Sequence, residues 1–185
     1  MSKILLTAFE PFGGRSVNAS GLLAAEACRR RPGLEAVVLP VDHEAAAAAL
    51  RATLRRLRPD AVLLTGEWNG PGFRLERYGR PGPLVPHARG VRPARWPNAG
   101  AQAAMAARGV PAKLSEDAGR YVCDTTLWSA LAGIGGVPPV GTVGFLHVPR
   151  SAGGAAARAR GAEALLACLD AGLGAPGRPR AARPA

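Results

Sequence analysis

Cysteine and histidine are scarce in this chain, with three of each, and lysine is nearly absent. The cysteines, Cys28, Cys123 and Cys168, are odd in number and widely spaced, and no C-x-x-C pair occurs. Neither a disulfide framework nor a cysteine zinc site is therefore expected. No stretch approaches the roughly 18 uninterrupted apolar residues of a membrane span. Met1 to Phe9 lacks the long apolar region of a signal peptide and runs straight into a strand pattern, so a cytoplasmic protein without a membrane partner is expected. Glycine is plentiful, yet neither Gly13-Gly14 nor Gly70-Pro71-Gly72 fits a dinucleotide fingerprint or a P-loop. Internal repeats are missing as well.

What remains is an ordinary globular composition, 48% hydrophobic and 20% charged over 185 residues, enough for one domain with a substantial core. The net charge of +11 brings nucleic acid to mind. The positive charges, however, are scattered arginines in a chain loaded with Ala, Gly and Pro. They read as a composition bias rather than a binding face, and no nucleic-acid partner is expected. The domain is expected to end near residue 174, leaving 175–185 as a disordered Arg/Pro/Ala tail.

Hydrophobic periodicity sets out the elements. Lys3 to Phe9, Glu35 to Val41 and Ala61 to Thr65 read as strands, the last apolar throughout, as suits a strand covered on both faces. Between them lie two helix patterns, one capped by Asn18 or Ser20 and closed by Arg29-Arg30-Arg31, the other capped by Asp42. Strand–helix alternation of this kind predicts an α/β fold with a parallel sheet and helices on both faces. From Gly66 to Asn98 the chain turns irregular, with one extended piece at Phe73 to Tyr78. A loop of that length inside a domain is usually functional. Helix patterns follow at Ala99 to Arg108, Asp124 to Ala132 and Ala152 to Ala171, with strands at Ala112 to Ser115 and Val140 to Val148.

Cys123 is the residue around which chemistry gathers. A strand-like run, Arg120 to Val122, precedes it, and a helix that Asp124 can cap follows. A thiol at a helix N-terminus lies near unpaired N–H groups and the positive dipole end, which favour the nucleophilic thiolate. Ligand sites in parallel α/β sheets collect at the carboxyl ends of strands. Phe9 to Gly14, Gly66 to Gly72, Cys123 and His147 to Pro149 all fall there. A cysteine nucleophile needs a base, and the base needs an orienting acid. His147 can be the base. Glu76 can be the orienting acid, or else a surface partner of Arg74 or Arg77.

Four blocks then carry a resemblance. They are Thr7-Ala8-Phe9-Glu10-Pro11-Phe12-Gly13-Gly14 with Asn18 and Ser20 behind it, Leu75-Glu76-Arg77, Gly119-Arg120-Tyr121-Val122-Cys123, and Gly144-Phe145-Leu146-His147-Val148-Pro149. In this order they resemble pyroglutamyl peptidase type I, also called pyrrolidone carboxyl peptidase, over nearly the whole chain except the tail. The resemblance implies a three-layer α/β/α sandwich around a twisted, mostly parallel sheet. It implies a cysteine peptidase removing N-terminal pyroglutamate from peptides through a thioester, with no metal or cofactor, acting as a homo-oligomer (dimer or tetramer). Cys123 then matches the nucleophile, His147 the base and later acid, and Glu76 the orienting group. Phe9, Phe12 and Gly13 match the loop that holds the lactam ring, with Phe12 the more exposed of the two aromatics.

Some positions depart from the family pattern. Glu67 and Trp68 stand where the family has glutamine and a small residue in a lactam-binding stretch. Glu67 could accept the lactam N–H, but a buried charge there needs a basic neighbour or protonation. Trp68 reshapes the pocket wall. Asp124 replaces an asparagine and would raise the thiol's pKa. The segment holding the family's oxyanion arginine is rewritten, leaving Arg80 or Arg89 as substitutes. These departures keep open an alternative: a divergent, weakly active or non-catalytic member binding a small N-blocked ligand.

Overall fold

The apolar runs become strands whose successive side chains feed two separate cores. In β1 (Ile4–Phe9), Leu5 and Phe9 join one buried cluster while Leu6 and Ala8 join the other. The same division recurs in β3 (Ala61–Trp68), through Val62 and Leu64 against Leu63, and in β8 (Thr142–Pro149), through Val143 and Phe145 against Leu146 and Val148. Period-two alternation with buried apolar residues on both faces demands cover on both sides of the sheet. The computed structural model describes residues 3–83, 90–133, 137 and 139–174. The expected tail and Arg89 lie outside the described residues.

Helices α1 (Ala19–Arg30), α3 (Asn98–Ala106) and α5 (Ala155–Gly174) supply one cover, through residues such as Leu23, Met105, Leu165 and Leu169. Helices α2 (His43–Leu57) and α4 (Val122–Ala132) supply the other, through Leu50, Leu54, Leu127 and Leu131. The result is a three-layer α/β/α sandwich. With β2 (Glu35–Leu39), β4 (Phe73–Glu76) and β7 (Ala112–Ser115), the six-stranded sheet runs in the order β2-β1-β3-β8-β4-β7. Pairing is parallel except between β4 and β8, which run antiparallel. That inversion brings the C-terminal end of β4 beside the middle of β8 and so decides where Glu76 can reach. Among the described residues no helix is long and apolar enough to cross a membrane.

The caps behave as the sequence predicts for two helices. Asn18 accepts from the N–H of Ser20 at 3.0 Å, and Asp42 accepts from that of Ala45 at 2.8 Å. Around Cys123 the expectations need correction. No strand covers Arg120 to Val122. Asp117 accepts from the Gly119 N–H at 3.0 Å, and Gly119 takes a positive φ of 79°, so the chain turns after β7 instead of extending. Helix α4 starts at Val122 with Tyr121 as its N-cap, which places Asp124 inside the first turn and not at the cap. Its carboxylate is taken instead by the backbone N–H of Arg80, at 2.8 Å.

The irregular region also holds more order than its composition suggests. Strands β5 (Tyr78–Gly79) and β6 (Arg92–Pro93) form an antiparallel pair, and β3 extends three residues past Thr65, to Trp68. Arg95 donates to the carbonyls of Leu131, Val140 and Gly141, placing its charge on the C-terminal end of α4.

Candidate active site

The carboxyl end of the sheet opens into a cavity of about 670 Å³. Cys123, His147, Glu76, Phe9, Phe12, Glu67 and Trp68 all line it. Gly13 is not among the lining residues; it forms a turn with Gly14, both at positive φ, that holds Phe12 in place. Phe12 is 39% exposed and Phe9 only 3%, so the first ring faces the opening while the second doubles as core. The loop is tied down from behind. Asn18 Nδ2 donates to the Glu10 carbonyl at 2.9 Å, and the Phe9 N–H donates to Ser20 Oγ at 3.1 Å.

His147 Nδ1 lies 2.8 Å from Glu76 Oε1, and both residues are buried. A carboxylate oxygen accepts, so Nδ1 carries the hydrogen and Nε2 is left as the proton acceptor. Glu76 reaches His147 because Arg74 and His147 are register partners across β4 and β8, and Glu76 shares the face of Arg74 two residues on. Phe145, on that face too, supports the imidazole with ring centroids 4.7 Å apart.

The thiol approaches from helix α4. It packs against Gly66, the register partner of His147: a Cβ on Gly66 would stand 2.9 Å from Cys123 Sγ and 3.0 Å from the Phe145 ring. Only a residue without a side chain lets the thiol settle over the strand beside the imidazole. The sequence places Gly66 in a stretch at the strand ends without assigning it a role, although a glycine at the end of an apolar strand is a signal of close approach. Tyr121, 78% exposed at the cavity mouth, was also missed.

The electrostatics correct one expectation. Burial pushes the Cys123 thiol up to about 12, the negative charges of Glu76 and Asp124 add to that, and only its own backbone N–H pulls the other way. At neutral pH the resting group is thus a thiol, not the thiolate that a helix N-terminus by itself would favour. Asp124 is pushed up to about 6, chiefly by burial; the Arg80 N–H and guanidinium oppose the shift, and Asp117 and Glu76 reinforce it.

Glu67 has found the basic neighbours its burial demands. Arg15 donates to both carboxylate oxygens, Arg150 Nε donates to Oε1 at 3.0 Å, and the Ala19 N–H at the start of α1 donates to Oε2 at 2.7 Å. Burial raises its pKa, but these donors outweigh it and leave the group below the ordinary carboxylate value. A carboxylate held this way is committed to the protein rather than free for a lactam N–H. Arg80 does not line the cavity; its guanidinium donates to the Glu116 carbonyl at 2.7 Å and lies 3.5 Å from Asp117. Among the described residues the arginines that do line it are Arg74 and Arg150.

A thiol, an imidazole and a buried carboxylate at the strand ends of an α/β/α sandwich are equipment for nucleophilic thiol chemistry. A family model described as pyroglutamyl peptidase matches residues 83–164. The pyrrolidone-carboxylate peptidase of Gloeobacter violaceus is 34% identical over 167 residues, covering 80% of this chain and 81% of the relative. That of Deinococcus radiodurans is 36% identical over 182 residues, covering 82% and 80%. The crystal structure of pyrrolidone carboxyl peptidase from Thermus thermophilus superposes with a TM-score of 0.76 at 31% identity, covering 91% of this chain and 99% of that one. The chain belongs to the pyroglutamyl peptidase family, a family of cysteine peptidases.

Proposed function

We propose that this protein hydrolyses the bond after an N-terminal pyroglutamyl residue, with Cys123 as nucleophile, His147 as base and then acid, and Glu76 as the group that orients His147. The observation that carries the reading is the buried His147–Glu76 hydrogen bond, 2.8 Å long, beside a thiol packed onto Gly66. The family membership supports the substrate class.

Because burial keeps Cys123 protonated, attack and proton transfer are coupled. The thiol proton passes to His147 Nε2 as Sγ bonds to the pyroglutamyl carbonyl carbon, and the carbonyl oxygen takes up negative charge. The Asp124 N–H is taken by the Tyr121 carbonyl at 3.1 Å, which leaves the N–H groups of Val122 and Cys123, at the start of α4, to supply hydrogen bonds to that oxyanion. The imidazolium, held by Glu76, returns its proton to the departing amine as the C–N bond breaks. Water then attacks the thioester, giving its proton to His147, and the carbonyl–sulfur bond breaks to release pyroglutamate and restore the thiol. Phe9 and Phe12 flank the place for the flat lactam ring. Glu67 serves as a tether that fixes the start of α1 and the loop before it to the end of β8. Assembly into two or four copies belongs to the same reading.

A pyroglutamyl-linked chromogenic amide tests the proposal directly. The wild type is expected to release the chromophore, and Cys123→Ala to lose at least about 10³-fold in kcat. Equal rates for the two proteins would sink it.

A further inference from the structure

Trp68 and Arg74 take no part in the chemistry above, yet both line the cavity. The Arg74 guanidinium carbon lies 3.7 Å from the centre of the Trp68 ring. Trp68 Nε1 donates to the Gly72 carbonyl at 2.8 Å, so the indole is a fixed plate under the cation. Register pairs Arg74 with His147 and Trp68 with Pro149, which sets both side chains on the face that carries His147 and Glu76. Among the described residues Arg74 forms no ion pair, whereas Arg150, the other arginine of the cavity, is committed to Glu67. An arginine over an indole, at the register position opposite His147 and with no carboxylate of its own among the described residues, has donors left for an anion.

Strand order decides which part of a substrate meets it. Phe9 ends β1, Gly66 and the thiol lie over β3, His147 is on β8, and Arg74 is on β4, in that sequence across the sheet. With the lactam ring on the Phe9 side, the scissile bond lies over the thiol and the leaving amine faces His147. The residue carrying that amine continues toward β4. Resting on the peptidase reading above, the geometry points to Arg74, braced by Trp68, as the residue that selects peptides bearing a carboxylate just beyond the pyroglutamyl group. That carboxylate is either an acidic side chain or the C-terminus of a dipeptide. A guanidinium fork matches it with paired, charge-assisted hydrogen bonds.

The test compares pyroglutamate release from two pairs of peptides. One pair is pyroglutamyl-glutamic acid α-amide and its glutamine counterpart; the other is pyroglutamyl-alanine and its amide. The wild type is expected to favour the carboxylate member of at least one pair by about tenfold in kcat/KM, mainly through KM, and less so at high salt. The pair that responds identifies the source of the carboxylate. Arg74→Met is expected to bring the ratio to about one and Arg74→Lys to keep part of it. Ratios near one in the wild type for both pairs, or a ratio unmoved by Arg74→Met, overturn this inference and leave the peptidase reading standing. Failure to cleave any of the four peptides overturns both. The wild-type ratios need no variant, so a misfolded Arg74→Met does not shelter the proposal.

Discussion

Glu67 and Glu76 sit on the strands flanking β8, both buried, and their surroundings are opposite. Glu67 lies on the α1 side and accepts from Arg15, Arg150 and a helix N-terminal N–H. Glu76 lies on the α4 side and accepts from His147 alone, and its Oε2 has no partner among the described residues. A fully satisfied buried charge holds architecture together. A partly satisfied one costs free energy, on the order of 1–3 kcal/mol for a stranded polar group, and persists where chemistry needs it. Under the proposed mechanism the two residues separate a structural use of a buried carboxylate from a catalytic one within a single cavity.

Glu76→Gln breaks the comparison from the catalytic side and has the largest expected effect. The amide has nearly the same shape, but it no longer stabilises an imidazolium or fixes the tautomer with Nε2 free. A fall in kcat of about 10²–10⁴ is expected, with stability changed by less than about 1 kcal/mol. Steady-state kinetics beside a thermal melt would check it. A variant that kept wild-type kcat would place Glu76 with Glu67 among structural groups.

Glu67→Gln breaks it from the other side. Arg15 and Arg150 lose their anion but remain 27% and 46% exposed, so water compensates in part. A loss of about 2–3 kcal/mol at pH 7 is expected in denaturant titration. The pH dependence has a definite sign. Because folding lowers the Glu67 pKa, its contribution is fully present above the unfolded value of about 4.3 and is lost as pH falls through the folded value. The gap between wild type and variant should therefore close on acidification. A gap constant with pH would mean the carboxylate's charge is not what binds the two arginines.

The sequence made one half of this comparison legible and hid the other. Cys123, His147 and Glu76 stand inside local blocks whose residue types match the roles proposed for them, and the apolar run of β8 puts His147 near its carboxyl end. The partners of Glu67 are 52 and 83 residues away along the chain, with nothing local in Arg15 or Arg150 to announce them. The antiparallel entry of β4 is equally silent, since a four-residue strand carries no mark of direction. Asp124 misled for a related reason. Its residue type favours a helix cap, but a tertiary contact with the Arg80 N–H claims the carboxylate first.

Asp124 also offers the finest test, because it is a third buried carboxylate poised between the two regimes. It is hydrogen-bonded, yet burial still pushes it up to about 6. A raised carboxylate pKa means that stability is greatest below the unfolded value of about 3.9 and is lost as pH rises through about 6. Asp124→Asn keeps an acceptor for the Arg80 N–H and removes the charge. The variant should be more stable than wild type by about 1–2 kcal/mol at pH 8, with the advantage gone near pH 4. The same change removes one of the negative charges that raise the Cys123 thiol, so alkylation by iodoacetamide at pH 8 should quicken by about two- to fivefold. Should stability rise while alkylation stays put, Asp124 would belong with Glu67, as a group whose charge concerns the fold and not the nucleophile.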